Sequence, residues 1–145
     1  MKTIQVLIVD DCKVTRKMVQ KALCRAPVAA TLLEGENRQQ RGWARVAVKA
    51  LEAANGEDAL NIMSANRVDL VFSDINMPGM DGLEFLRQLR SAEETKTIPV
   101  VMITSDGSAS RVAEALAQGA TGYLKKPFSA QDVRARTERI LEIGV

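Results

Sequence analysis

The sequence predicts an α/β fold, a doubly wound five-stranded parallel sheet with helices on both faces. Three observations lead there. Five short apolar runs alternate with five stretches whose apolar residues recur at helical spacing. Several runs are apolar at nearly every position, the pattern of a strand buried on both faces. Most runs also end in acids, a hydroxyl or a lysine followed by turn residues. Polar groups then sit at the carboxyl ends of strands, the edge where open α/β sheets bind their ligands.

Each element follows in order. Ile4 to Val9 is a β-branched and leucine run that ends in Asp10-Asp11. From Lys13 to about Cys24, the residues Val14, Met18, Val19, Ala22 and Leu23 keep helical spacing, which leaves Lys13, Arg16, Lys17 and Lys21 on a solvated face. Ala47 to Ala53 is the second strand. Asn55-Gly56 turns the chain into a helix with Ala59, Leu60, Ile62 and Met63 inward. Leu70-Val71-Phe72 leads through Ser73 to Asp74, and Pro78-Gly79 and Asp81-Gly82 punctuate the loop beyond. The next helix, Leu83 to Arg90, carries Leu83, Leu86 and Leu89. Pro99 marks the start of the fourth strand, Val100 to Thr104, and Ser105 to Ser108 form a loop and helix cap. Val112, Ala115 and Leu116 line a helix that stops at Gly119. A short strand, Thr121 to Leu124, precedes Lys125-Lys126-Pro127. The last helix opens with Ser129-x-x-Asp132, a capping-box variant, and runs through Val133, Ile140 and Leu141.

One stretch does not fit the alternation. Helix-to-strand connections in such units run about 2–6 residues, whereas residues 25 to 46 make this one several times longer. Val28 to Leu33 is apolar, Glu34 to Gly42 polar, and Trp43-Ala44-Arg45-Val46 leads into the second strand. A hairpin or an extra helix both suit two apolar arms around a polar tip. The segment reads as an insertion with order of its own. Arg25, Arg38, Arg41 and Arg45 against Glu34 and Glu36 give it a charge equal to the excess of the whole chain.

Composition excludes several function classes. A length of 145 residues suits one domain, and 46% apolar with 26% charged residues is an ordinary globular balance. No apolar run approaches the roughly 20 residues that span a bilayer, and Met1-Lys2-Thr3 enters the first strand with no signal peptide. A net charge of +2 without a basic stripe argues against direct nucleic-acid binding. With no histidine, a His-based triad, a zinc–histidine site and a phosphohistidine on this chain are excluded. Cys12 and Cys24 match no zinc spacing and read as reduced thiols in a cytoplasmic protein.

The strand ends carry the chemistry. Asp10-Asp11, Asp74, Thr104 and Lys126 follow strands one, three, four and five, and in a parallel sheet those ends share one rim. Singly, each acid or hydroxyl reads more simply as a turn or cap residue; together they form a cluster. Three carboxylates in one place repel one another, and Mg²⁺, which takes carboxylate, water and phosphate oxygens, resolves the conflict. A lysine and a threonine hydroxyl supply charge and a hydrogen bond to a phosphoryl group. The chemistry indicated is Mg²⁺-assisted phosphoryl transfer onto a carboxylate.

Four motifs in this order resemble the receiver domain of two-component response regulators: Val9-Asp10-Asp11, the run from Asp74-Ile75-Asn76-Met77-Pro78 to Asp81-Gly82, Ile103-Thr104-Ser105, and Gly119-Ala120-x-Gly122-Tyr123-Leu124-x-Lys126-Pro127-Phe128. The resemblance spans nearly the whole chain except residues 25 to 46. It implies a flavodoxin-like sheet of order 2-1-3-4-5, and a single receiver domain over residues 1–145 with an inserted segment at about 25–46. It implies Asp74 as the phosphoacceptor, charged from a phosphohistidine of a histidine kinase or a histidine phosphotransfer protein. Asp11, Asp74 and the carbonyl of Asn76 would bind Mg²⁺ directly, and Asp10 largely through water. Lys126 would pair with a phosphoryl oxygen, with Lys125 exposed. Thr104 would bond the phosphoryl group and Tyr123 swing inward behind it, remodelling the face of the fourth helix, fifth strand and fifth helix for a downstream protein target. Arg111 and Gln118 would lie on that docking face. Asn76 and Asp106 would tune phosphate lifetime, and the Lys126-Pro127 bond would be cis, a form that costs little only before proline. No further domain follows the fifth helix here, so the expectation is a stand-alone receiver, with a homodimer left open.

Other readings fit parts of the sequence. Aspartate-nucleophile phosphohydrolases of the haloacid dehalogenase type carry Asp-x-Asp after the first strand, and Asp10-Asp11-Cys12 lacks the second acid. No Gly-rich nucleotide loop follows Val9, which argues against Rossmann and P-loop readings. The other rival is a receiver-like interaction module that acts without phosphorylation, through the 25–46 insertion. Such an insertion leads into an edge strand and would cover it. Trp43, the sole tryptophan, would pack it onto the body or serve a partner as an anchor.

Overall fold

The computed structural model describes residues 2–24, 46–105 and 109–141, and it bears out the predicted class. Strands β1 (Lys2–Val9), β2 (Val46–Ala53), β3 (Leu70–Asp74), β4 (Val100–Thr104) and β5 (Gly122–Lys125) alternate with helices. Those helices are α1 (Lys13–Cys24), α2 (Gly56–Ala65), α3 (Gly82–Ser91), α4 (Ala109–Ala117) and α5 (Ala130–Leu141). The strands pair in parallel in the order β2-β1-β3-β4-β5. The direction of winding reverses beside β1, the kind of switch point at which open α/β sheets bind their ligands. Apart from Val46, which pairs with Lys2 as the first residue of β2, the expected insertion lies outside the described residues, as does Asp106.

Two cores hold the layers together. Ile4, Val6 and Ile8 of β1 pack with Val19 and Leu23 of α1 and Val133 of α5 on one face of the sheet. Leu7 and Val9 point the other way and pack with Ala59 of α2, Leu86 and Leu89 of α3 and Ala115 of α4. A strand that feeds two cores has no wet side, which is why β1 shows no polar alternation. Each fully buried aliphatic side chain contributes roughly 1.5–3 kcal/mol. At the rim these cores fix a rigid floor under the polar strand ends.

Caps place the helices. Asn55 accepts a hydrogen bond from the Asp58 amide at 2.8 Å and starts α2. Asp81 does the same for the Glu84 amide at 2.8 Å and starts α3. The Ser129–Asp132 box is reciprocal: the Asp132 amide donates to Ser129 Oγ at 3.1 Å, and the Ser129 amide to Asp132 Oδ2 at 2.9 Å. Beyond α4 comes Gly119 at φ +101°, a left-handed conformation suited to a helix stop.

Helix α1 differs from its expected face. Thr15, Val19, Ala22 and Leu23 are buried, whereas Val14 is 67% and Met18 45% exposed. The buried stripe follows i, i+4, i+7 from Thr15; Val14 and Met18 each precede a stripe residue by one position, about 100° round the helix. A polar residue therefore takes the first-turn core position that Val14 was expected to fill.

Candidate functional site

Register brings the polar strand ends together. Val9 is level with Ala53 and Ser73, Asp74 with Ile103, and Thr104 with Lys125. The residues just past or at these ends, Asp10, Asp74, Thr104 and Lys126, thus line one rim at the reversal beside β1.

Asp10 is fully buried. Its amide donates to the Ala53 carbonyl at 3.0 Å, continuing the β1–β2 pairing by one residue. Its carboxylate accepts from the Cys12 amide at 2.8 Å and from Lys126 Nζ at 3.3 Å. Asp74 is also buried, and its Oδ1 accepts from the Asn76 amide at 3.3 Å. Lys126 Nζ lies 3.6 Å from Asp74 Oδ2, so one ammonium bridges two carboxylates. Asp11 is exposed on the open side, and one oxygen from each of Asp10, Asp11 and Asp74 lies within 4.8 Å of the others.

The backbone under Asp74 and Lys126 is tightly tied. The Lys126 amide donates to the carbonyl of Thr104 at 2.8 Å, and Thr104 is buried. The Lys126–Pro127 peptide is cis. Gly82, the first residue of α3, packs on the acceptor strand end: a Cβ there would stand 2.1 Å from the Asp74 carbonyl oxygen. Its amide donates to the Ile75 carbonyl at 2.8 Å. Only glycine allows this approach.

The electrostatics follow from burial and crowding. Burial pushes the carboxyl groups of Asp10 and Asp74 above the usual carboxylate range, and for Asp74 the charge of Asp10 adds to it. Burial works to lower Lys126, but Asp10 and Asp74 outweigh it and hold the ammonium above its ordinary value. Each amide and ammonium contact offsets part of the repulsion, and the cluster keeps an excess of negative charge.

This donor set fits Mg²⁺. Oxygens opposite one another on an octahedral Mg²⁺ stand about 4.2 Å apart, twice the bond length of about 2.1 Å. The three carboxylate oxygens lie within 4.8 Å of one another, close enough for one ion to be shared among them directly or through bound water.

Comparison with known proteins settles the family. A profile described as response regulator receiver domain matches residues 39–138. This chain belongs to the response regulator receiver domain family. The receiver is 33% identical over 141 residues to chemotaxis protein CheY-3 of Vibrio cholerae, covering 97% of this chain and 94% of that protein. It is 32% identical over 138 residues to chemotaxis protein CheY of Pseudomonas aeruginosa, covering 95% and 96%. Among solved structures, chemotaxis response regulator CheY4 of Vibrio cholerae superposes with a TM-score of 0.73 at 31% identity, covering 96% of this chain and 99% of that one. A putative response regulator from Chloroflexus aurantiacus superposes with a TM-score of 0.76 at 32% identity, covering 97% and 99%. The profile match starts after Asp10 and Asp11, but the 141-residue similarity includes them.

Within the receiver, the structure brings Asp10, Asp11, Asp74 and Lys126 together and sets Thr104 at the adjoining strand end. Asn76 is exposed beside Asp74, and its Oδ1 accepts from Arg111 Nη2 of α4 at 3.2 Å. Tyr123 is 39% exposed and Lys125 is exposed, on the same side of β5. Reading by residue type missed two neighbours. Helical spacing puts Arg16 on the wet face of α1, but its Nη1 donates to the Asp10 carbonyl at 2.6 Å. By residue type Gly82 is only a turn residue; its place immediately before the Leu83 periodicity is the signal of its packing role.

Proposed function

We propose that this receiver is a phosphorylation-dependent signalling switch that accepts a phosphoryl group on Asp74. The observation that carries the reading is the shared cation: Lys126 stands 3.3 Å from Asp10 and 3.6 Å from Asp74 beside a third carboxylate. An ammonium between two buried acids offsets part of their repulsion, and it stands within reach of the phosphoryl oxygens that Asp74 would carry.

In the proposed reaction, an oxygen of Asp74 attacks the phosphorus of a phosphohistidine on a histidine kinase or histidine phosphotransfer protein. The P–N bond breaks with its electron pair leaving on the imidazole, and an acyl phosphate forms on Asp74. Asp11, Asp74 and the Asn76 carbonyl would hold Mg²⁺, with Asp10 acting through water, and the ion would supply charge neutralisation at the phosphoryl oxygens. Lys126 takes a phosphoryl oxygen. Thr104 donates its hydroxyl to the phosphoryl group, and Tyr123 turns from its exposed position toward the space this opens. The α4–β5–α5 face, where Arg111 lies, then meets a downstream protein. Asn76 and Asp106 set how fast water removes the phosphate. The chain is proposed to act as one receiver domain over residues 1–145, in the cytoplasm; among the described residues no helix is long and apolar enough to cross a membrane.

The test is phosphoryl incorporation from a small-molecule phosphodonor, comparing wild type with Asp74→Asn. Labelling is expected to need Mg²⁺ and to vanish in the variant. Equal labelling of Asp74→Asn would move the acceptor elsewhere, and absence of labelling in both would overturn the switch.

A further inference from the structure

We infer that Arg16 of α1 is a positioning residue for the cation site, tying the acidic loop after β1 to the edge strand β2. The inference rests on the Mg²⁺ reading above. Arg16 Nη1 donates to the backbone carbonyl of Asp10 at 2.6 Å, and Nε donates to Glu52 Oε1 at 3.1 Å. The second oxygen of Glu52 accepts from Lys17 Nζ at 3.1 Å. Glu52 lies one residue before the end of β2, and the next residue, Ala53, accepts the Asp10 amide. Asp10 is thus held at its amide by β2, at its carbonyl by Arg16, and at its carboxylate by the Cys12 amide and Lys126.

The arrangement is that of an outer-shell partner that orients ligands without touching the ion. The loop from Asp10 to Cys12 has to present two acids in different directions, Asp10 inward and Asp11 to the open side. A fixed carbonyl between them sets the peptide plane from which Asp11 departs. The planar guanidinium serves two acceptors at once, which a lysine cannot reproduce in one geometry. The side chain is only 16% exposed, so the contact is sheltered from water.

The sign of the effect separates positioning from charge. Arg16 is a cation close to an acidic cluster, so its removal by charge alone would tighten Mg²⁺ binding. Removal of a positioning contact would weaken it. Mg²⁺ titration by calorimetry, with Mg²⁺-free melting curves, is therefore made on wild type, Arg16→Ala and Arg16→Lys. Arg16→Ala is expected to weaken Mg²⁺ binding roughly 10-fold. Arg16→Lys keeps the charge and at most one of the two bonds, and is expected to fall between wild type and Arg16→Ala; it also serves if Arg16→Ala does not fold. Binding unchanged or tighter in the variants, even with lower melting temperatures, would overturn the inference and leave Arg16 a purely structural tie. If wild type itself bound no Mg²⁺, the cation reading would fail and this inference with it.

Discussion

Asp10 and Asp74 are acids held where acids are costly. Their raised pKa values mean that the folded chain takes up protons more readily than the unfolded one. The cost is therefore present above the raised values and is relieved as pH falls toward the ordinary carboxylate range, the reverse of a salt-bridged surface acid. Mg²⁺-free protein is expected to gain stability from this site on mild acidification, while Mg²⁺ affinity drops across the same window as protons compete. Melting curves and Mg²⁺ titrations from neutral to mildly acid pH check both; an affinity that does not change would contradict the assignment. By the same logic Asp10→Asn removes a repelling charge and is expected to stabilise the Mg²⁺-free protein by about 1 kcal/mol while weakening Mg²⁺ binding. Lower stability in the absence of Mg²⁺ would show instead that the Lys126 bridge outweighs the repulsion. These residues were legible from type and position, because an acid after an apolar strand is a local pattern. The partners of Arg16 were not, because Glu52 is 36 residues away in sequence and periodicity assigns a face without naming what lies against it.

At the scale of elements, the join between β3 and α3 is the tightest point of the site. A Cβ on Gly82 would meet the Asp74 carbonyl oxygen at 2.1 Å and Ile75 Cα at 2.7 Å, both backbone atoms that cannot swing away. Gly82→Ala is expected to cost about 1–3 kcal/mol or more and to shift Asp74, lowering Mg²⁺ affinity and labelling together. Denaturant unfolding beside a Mg²⁺ titration checks this, and an unchanged affinity would mean that the strand end moves as a unit. Strands β3 and β4 were readable almost to the residue, because both are fully buried and carry uninterrupted apolar runs. The face of α1 was less so: Val14 and Met18 suit an apolar stripe as well as Thr15 does, and only the neighbouring sheet and α5 decide which stripe is covered. Residues 25–45 had no pattern strong enough to choose between hairpin and helix.

At the scale of the molecule, the link between ion and fold is measurable. A ligand that binds only the folded state stabilises it by about 2.7 kcal/mol at 100 times its Kd. For a chain of this length that corresponds to roughly 5–10 °C in melting temperature. Mg²⁺ is expected to raise the melting temperature to this order in wild type and much less in Asp11→Ala; an equal rise in both would place the ion elsewhere. The fold class and the location of the rim followed from the alternation of runs, because a parallel sheet gives all its carboxyl ends to one side. The coupling of that rim to β2 needed the three-dimensional contacts.

The bridging lysine has a consequence for charge. Three carboxylates against one ammonium leave the rim two units negative on a chain whose formal total is +2. A bound divalent cation would bring the rim to neutrality. An acyl phosphate at Asp74 would then replace one negative charge by about two, and the rim would return to a negative excess of about one. On the proposed reading, phosphorylation would act as a unit of charge delivered to a neutralised spot, beside which Arg111 of α4 is already moored to Asn76.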